Sequence, residues 1–341
     1  MKFIWAFISL LIAGVALVSL RPDMFPYVSD FVLITPIAQI MSMRFWIGAV
    51  LIFSAVVLAV FALVRYKLLN MGRIAGLLAL VLFVGSFGQF GVLIARGVAH
   101  PSQLAPDRGV SFTSPGNGEI TVLSYNTLGG KTTTEQIVQL VEDNGVDVVV
   151  LPETGHKRGQ DIVRRLAEHG MSFQQFDTHT SEYDPEFRST LLLVSTALGE
   201  YEQTNDAPVD SAAVSARPVD GNGPELIGVH PIAPLPALMD QWRAETYAVY
   251  SQCDKTNFIM AGDFNSTIDH QLAHGFSCGD GARDAGSGAV GTWPLTTPAL
   301  LSAPIDRVLH DGQHFQGTDA AVVQVGESDH RGLLVRLGPT K

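Results

Sequence analysis

The hydrophobic positions of this 341-residue chain change character near residue 100. Before it they fall in long uncharged runs at residues 3–20, 45–64 and 74–95, the last broken only by Gln89. A helix needs about 20 apolar residues to cross the hydrocarbon of a bilayer. The pattern therefore predicts about three spans, the first shorter than the others. Residues 3–20 have a second reading as a cleaved signal peptide, but Leu17-Val18-Ser19-Leu20 before Arg21 makes a poor cleavage site. Residues 31–41 are apolar but short and contain Pro36, which suits a segment that lies at the interface or re-enters it.

Residues 98–118 are rich in Pro, Gly and Ser and lack apolar periodicity, so they read as a linker between a membrane anchor (1–97) and a single domain (119–338). Beyond the linker, short apolar runs alternate with amphipathic ones. Strands are predicted at 119–125, 146–151, 191–195, 212–217, 225–230, 257–261, 305–309, 320–325 and 333–337, and helices at 134–142, 161–168 and 237–250. The Val-rich run at 146–151 suits a strand buried on both faces. Several strands follow one another without a helix, so two packed sheets flanked by helices fit better than one doubly wound sheet.

Composition sharpens the boundary. The chain has 22 Lys and Arg against 33 Asp and Glu, a net charge of −11, with 47% hydrophobic and 16% charged residues, well below the usual quarter. Such a composition excludes a disordered chain. Residues 1–100 carry a net +5 and the remainder −16. Arg65, Lys67 and Arg73 crowd the hinge between the second and third spans and mark it as cytoplasmic. Three spans with that hinge inside place the C-terminal domain outside the cytoplasm, in a multi-pass protein of the cell membrane. The two cysteines, Cys253 and Cys278, both lie in that domain. An outside location permits a bridge between them, which is the expectation; two buried free thiols are the alternative. They supply too few ligands for a zinc site.

The informative feature is what stands at the strand ends: Leu123-Ser124-Tyr125-Asn126-Thr127, Leu151-Pro152-Glu153-Thr154, Gly228-Val229-His230-Pro231, Ala261-Gly262-Asp263-Phe264-Asn265-Ser266-Thr267, Ile305-Asp306-Arg307 and Ser328-Asp329-His330-Arg331-Gly332. Each has a plain structural reading. Gly-Asp-Phe-Asn serves as a turn, because Asp and Asn bond their own backbone, and Glu153 could face solvent. Asp306 within an apolar strand is harder to set aside, since an unpaired buried carboxylate is costly; His330 is its natural partner. Together the carboxylate and amide oxygens suit Mg²⁺ or Mn²⁺, which keep waters and bind substrate phosphate. A His beside an Asp suits proton transfer. The combination points to hydrolysis of a phosphate ester.

These six elements, in this order, resemble the endonuclease/exonuclease/phosphatase superfamily over roughly residues 119–337, with the Gly-Asp-Phe-Asn and Ser-Asp-His elements the most specific. The resemblance implies a four-layer α/β/β/α sandwich and a divalent-metal-dependent phosphoester hydrolase. It implies Glu153 as principal metal ligand, assisted by Asn126 and Asp329. Asp263 would orient or deprotonate the attacking water. Asn265 and His230 would donate to the phosphoryl group, and His330, oriented by Asp306, would contact phosphate or move a proton. One departure stands out: abasic endonucleases carry an acid two residues beyond the first-strand Asn, where this chain has Leu128. Thr292-Trp293-Pro294 resembles an element near the site in some members, although Trp293 could equally be core packing. His156, His270 and His274 read as surface or local histidines.

The acidic domain lacks a basic run, the footprint of nucleic-acid binders. The expected partners are thus the bilayer and a phospholipid or phosphorylated envelope glycolipid. An anchored extracellular nuclease is the alternative, and a catalytically silent binding domain comes third. No protein partner is inferable from the residues.

Overall fold

The computed structural model describes residues 2–106, 118–178, 186–210 and 212–340, and the chain divides into two compact units, Met1–Ala95 and Arg96–Lys341.

The first unit contains helices α1 (Lys2–Val18), α2 (Pro26–Val32), α3 (Ile37–Ser42) and α4 (Arg44–Leu69), and most of α5 (Arg73–Arg96). Among the described residues, α4 and α5 are long and apolar enough to cross a membrane, while α1 is apolar but shorter. The count of about three spans thus has two helices of sufficient length. Residues 31–41, expected at an interface, form the end of α2 and most of α3, with Pro36 at the N-cap of α3. Helix α4 stops at Asn70, whose left-handed conformation (φ 52°) returns its N–H to the last turn. Alanines and leucines pack the helices together: Ala16, Ala55, Leu78 and Leu82 form one buried cluster. Arg44 is buried beside them and donates to Gln89 Oε1 at 2.5 Å and to the carbonyls of Ser19 and Leu20 at 3.3 Å, while Gln89 donates to Ser19 Oγ at 2.9 Å.

The second unit holds twelve strands among its described residues: β1 (Ile120–Ser124), β2 (Val148–Pro152), β3 (Phe173–Asp177), β4 (Thr190–Ser195), β5 (Tyr201–Thr204), β6 (Ala213–Pro218), β7 (Glu225–Val229), β8 (Phe258–Asp263), β9 (Gly279–Asp280), β10 (Asp306–His310), β11 (Phe315–Val323) and β12 (Gly332–Pro339). Helices α6 (Thr134–Asn144), α7 (His156–Glu168), α8 (Met239–Tyr250), α9 (Ile268–Ala273) and α10 (Gly281–Asp284) complete it. The strands form two six-stranded sheets, ordered β11-β12-β1-β2-β4-β3 and β5-β6-β7-β8-β10-β9. Only β1–β2 and β7–β8 pair in parallel. Those are the pairs joined through α6 and α8, as a parallel connection requires a crossover.

Three cores account for the packing. Val122, Val150 and Leu192 of the first sheet meet Val214, Ile259 and Val308 of the second. On the other side of the first sheet, Leu123, Val149 and Leu193 bury Ile137, Val141, Ile162 and Leu166 of α6 and α7. On the far side of the second sheet, Met260 and Leu309 bury Val249 and Tyr250 of α8. Helix α6 begins with a capping box, Thr133 to Gln136, and ends at Gly145 in the left-handed region. Helix α7 starts at His156, five residues earlier than its apolar spacing predicts, because its first turn, His156-Lys157-Arg158-Gly159-Gln160, carries no apolar side chain to mark it.

The stretch expected as a linker is partly built into this unit. Ala99 N–H donates to the Gly286 carbonyl at 3.0 Å. Val322 N–H bonds the Pro101 carbonyl at 3.0 Å, and Leu104 is buried in the core beside α6 and α7. Residues 107–117 of the expected linker lie outside the described residues. Cys253 and Cys278 form a disulfide, with Cα atoms 5.1 Å apart.

Candidate active site

The chemistry-bearing residues stand where the topology brings strand ends together. Asn126 follows β1, Glu153 follows β2, His230 follows β7, and Asp263 ends β8. Strand β10 runs antiparallel to β8, so its first residue, Asp306, pairs in register with Asp263. The loop entering β12 adds Asp329 and His330. Asp263 is reached through Gly262, at φ 145°, where a Cβ would sit 2.0 Å from the Val229 carbonyl oxygen. Only glycine allows β7 and β8 to approach so closely there.

Asp263 is the focus. It is buried, its Oδ1 accepts the Asn265 N–H at 2.8 Å, and its Oδ2 accepts from Asn126 Nδ2 at 3.2 Å. The same Oδ2 lies 3.7 Å from His230 Nε2 and 3.7 Å from His330 Nε2. Asn126 Nδ2 also donates to Glu153 Oε1 at 3.0 Å, and His230 Nε2 is 3.9 Å from that oxygen. Asn265 donates from Nδ2 to the Pro231 carbonyl at 2.9 Å, leaving its second amide hydrogen for other use.

Glu153 and Asn265 hold positive φ values, 58° and 45°. Non-glycine residues in this region are strained and need support from their surroundings. Glu153 receives it: its N–H donates to the Ser189 carbonyl at 2.8 Å, and its own carbonyl accepts from Thr127 Oγ1 at 3.0 Å.

His330 Nδ1 and Asp306 Oδ2 lie 2.7 Å apart, both residues buried. Burial would push the imidazole down, but the charges of Asp306 and Asp263, the hydrogen bond to Asp306 and the charge of Asp329 outweigh it and raise His330 to about 10. Asp306 is secured at its backbone, where its N–H donates to Thr292 Oγ1 at 3.0 Å.

Asp263, Asp306 and His330 offer ligand atoms within 4.8 Å of one another. His330 Nδ1 and Asp306 Oδ2 are spent on each other, so this cluster reads as a water-orienting and proton-handling group, while Asp306 Oδ1 is buried without a hydrogen-bond partner. The oxygen donors suited to Mg²⁺ or Mn²⁺ are elsewhere. Glu153 lies beside it, and Asp329 turns Oδ1 inward, shut from solvent with no hydrogen-bond partner and 4.0 Å from His330 Nε2. A carboxylate oxygen shut from solvent without a partner fits a divalent cation. Asn126 departs from the expected oxygen ligand. Its amide oxygen accepts the Leu128 N–H at 3.0 Å, and its amide nitrogen faces both carboxylates, so it bridges Glu153 and Asp263 as a donor.

All eight expected site residues therefore fall in one constellation. Sequence reasoning missed Ser328, whose Oγ donates to the Asn126 carbonyl at 2.7 Å and accepts the His330 N–H at 3.1 Å, tying the first and last motifs together. Trp293 is no core residue: it is 38% exposed, and its indole N–H donates to Asp329 Oδ2 at 2.9 Å. Of the other histidines, His270 is buried rather than at the surface and caps α9 through Thr267, while His156 pairs locally with Asp177 at 2.6 Å.

Among solved structures, the chain is similar to the AP endonuclease LMAP from Leishmania major, with a TM-score of 0.50 and 12% identity over 72% of this chain and 94% of that one. It is also similar to humanized D. rerio TDP2 carrying 14 mutations, with a TM-score of 0.49 and 16% identity over 64% of this chain and 99% of that one. A third likeness, to the inositol polyphosphate 5-phosphatase domain of synaptojanin, has a TM-score of 0.40 and 14% identity over 64% of this chain and 83% of that one. At 12% identity the likeness to LMAP speaks to fold alone. No protein of curated function matches the sequence. The model of the Endonuclease/Exonuclease/phosphatase family matches residues 123–330, more than half of the chain, and the chain belongs to that family.

Proposed function

We propose that the second unit, a four-layer α/β/β/α sandwich, is a divalent-metal-dependent phosphoester hydrolase held at a membrane by about three spans, with its site outside the cytoplasm. The observation that carries the chemistry is the convergence on Asp263 Oδ2 of Asn126, His230 and His330, all within 3.7 Å. Glu153 and the inward oxygen of Asp329 would hold Mg²⁺ or Mn²⁺, with Asn126 fixing Glu153. When bound, such an ion supplies Lewis-acid polarisation of the phosphoryl oxygens. Asp263, anchored by the Asn265 N–H, orients the attacking water and takes its proton. His230 and the remaining amide hydrogen of Asn265 stabilise charge growing on the phosphoryl oxygens. His330, held by Asp306, keeps a charged donor toward the same group.

The −16 charge of residues 101–341 and the apolar helices favour a phospholipid or envelope glycolipid over nucleic acid. Retention of the first apolar run as a span is supported by the poor cleavage site at Leu17-Val18-Ser19-Leu20. The test is a panel of phospholipid vesicles, nucleotides and plasmid DNA with Mg²⁺ or Mn²⁺. Hydrolysis of lipid ahead of DNA, abolished by EDTA, is expected. Faster cleavage of plasmid makes the protein an anchored nuclease, and cleavage unaffected by EDTA removes the metal from the account.

A further inference from the structure

Two parts of the sequence motifs have no role in this reaction: Trp293-Pro294 and Arg331. The structure joins them. The Arg331 guanidinium donates to the carbonyls of Pro294, Leu295 and Thr297 at 3.4, 3.1 and 2.5 Å, and to Ser302 Oγ at 3.4 Å. The backbone is tied on both sides of Asp329's neighbourhood: Arg331 N–H donates to the Thr292 carbonyl at 2.9 Å, and Leu295 N–H to the Asp329 carbonyl at 2.7 Å. Between those two bonds stands Trp293, half-exposed, its indole N–H on Asp329 Oδ2 at 2.9 Å.

We infer that residues 291–303 form a clamp that positions Asp329, with Trp293 as its contact: the indole N–H occupies Oδ2, so that Oδ1 alone is presented inward to the divalent ion. This rests on the reading of Asp329 as a metal-side carboxylate. A carboxylate free to rotate would exchange its two oxygens and seek solvent. One held by a donor on a loop bound through four backbone and side-chain acceptors is fixed in orientation. Partners that orient a ligand in this way are worth about 10–100-fold in metal affinity. Trp293 is a positioning residue; it need not touch the substrate.

The test is Mn²⁺ binding without substrate, read from the electron paramagnetic resonance signal of free Mn²⁺ titrated against the full-length chain in detergent micelles. Trp293→Phe keeps a ring but removes the donor, and should raise the Mn²⁺ Kd about tenfold or more with the unfolding temperature nearly unchanged. Benzothienylalanine at position 293, which replaces the N–H by sulfur in the same shape, should do the same and decides the matter if Trp293→Phe does not fold. A purely structural role would move the unfolding temperature and leave the Mn²⁺ Kd alone. Asp329→Asn separates the two readings. If it weakens Mn²⁺ binding while both Trp293 variants bind normally, the clamp is overturned and the metal-side role of Asp329 stands. If Asp329→Asn itself binds Mn²⁺ normally, that role falls and the clamp's purpose with it.

Discussion

In residues up to Ala95 many large apolar side chains face outward, while the buried positions mix alanines with Leu33, Leu78 and Leu82; from Arg96 onward most large apolar side chains are inside. Leu10 is 76% exposed and Phe53 71%, whereas Ala16, Ala55 and Gly85 lie inside the first unit. In the second unit Leu192, Val335 and Trp242 are fully buried. Small residues between helices with large apolar ones outside is the arrangement that suits lipid, where association gains little from hiding apolar surface. The reverse suits water. Polar side chains differ in the same sense. In the first unit Arg44, Gln89 and Ser19 satisfy one another in a closed group. In the second, polar groups gather at the ends of strands and leave oxygens such as Asp329 Oδ1 unspent. The comparison teaches that apolar content alone says little; the side of the element it occupies tells which surroundings it suits.

The largest effect should come from the polar groups at the strand ends. Asp306→Asn removes the charge beside His330 and should lower kcat/KM on a phosphodiester by about 10²–10⁴-fold, the range typical of a lost acid–base group. Phe53→Leu, on the outward face of α4, should leave it unchanged. Equal losses from both would erase the distinction between the units. Next in size is a matched pair in the hydrophobic frame. Leu192→Ala should cost about 2–5 kcal/mol in urea unfolding of the second unit, while Leu10→Ala should leave that transition in place. A similar cost for both would mean that the outward face of α1 is a packed one.

The disulfide closes a loop with a sequence separation of 25, so Cys253→Ala with Cys278→Ala should destabilise the second unit by about 3 kcal/mol. Unfolding in the presence and absence of reductant measures it, and no difference would mean that the bridge constrains nothing. The smallest effect is one of pH. Burial, with repulsion from His270 and Arg243, pushes His274 down to about 4, against about 6.5 in an unfolded chain. Between those values the unfolded chain binds a proton that the folded one refuses, so stability falls as the pH falls from 6.5 toward 4. His274→Gln, which can keep a partner for Thr246 Oγ1, should lose less of its unfolding temperature than the native chain between pH 7 and pH 5. An identical loss would remove His274 as a cause.

Much of this was legible in the sequence, for physical reasons that can be traced. Central strands such as β2 and β8 are buried on both faces and read as apolar runs. The unpredicted strands β3, β5 and β9 are edges or near-edges of their sheets, carrying sequences such as Phe173-Gln174-Gln175-Phe176-Asp177 and Tyr201-Glu202-Gln203-Thr204, whose exposed positions break the pattern. The first half of β11, also an edge, was lost in the same way. In the site, residues announced by a motif at a strand end were found. Ser328 and Trp293 were not assigned their contacts, because each acts on a residue distant in sequence: Ser328 on Asn126, 202 residues away, and Trp293 on Asp329, 36 away. The orientation of the Asn126 amide was equally hidden, since it depends on the Leu128 N–H that claims its oxygen.

The most direct measurement is hydrolysis of bis-p-nitrophenyl phosphate by the purified full-length chain and by its Asp263→Asn variant, each with Mn²⁺ and with EDTA. Native protein should turn the ester over with Mn²⁺ and stop with EDTA, and the variant should be slower by about 10²–10⁴-fold at an unchanged unfolding temperature. Asp263→Asn protein as active as the native chain, or native activity indifferent to EDTA, would contradict the assignment of the second unit as a metal-dependent phosphoester hydrolase centred on Asp263.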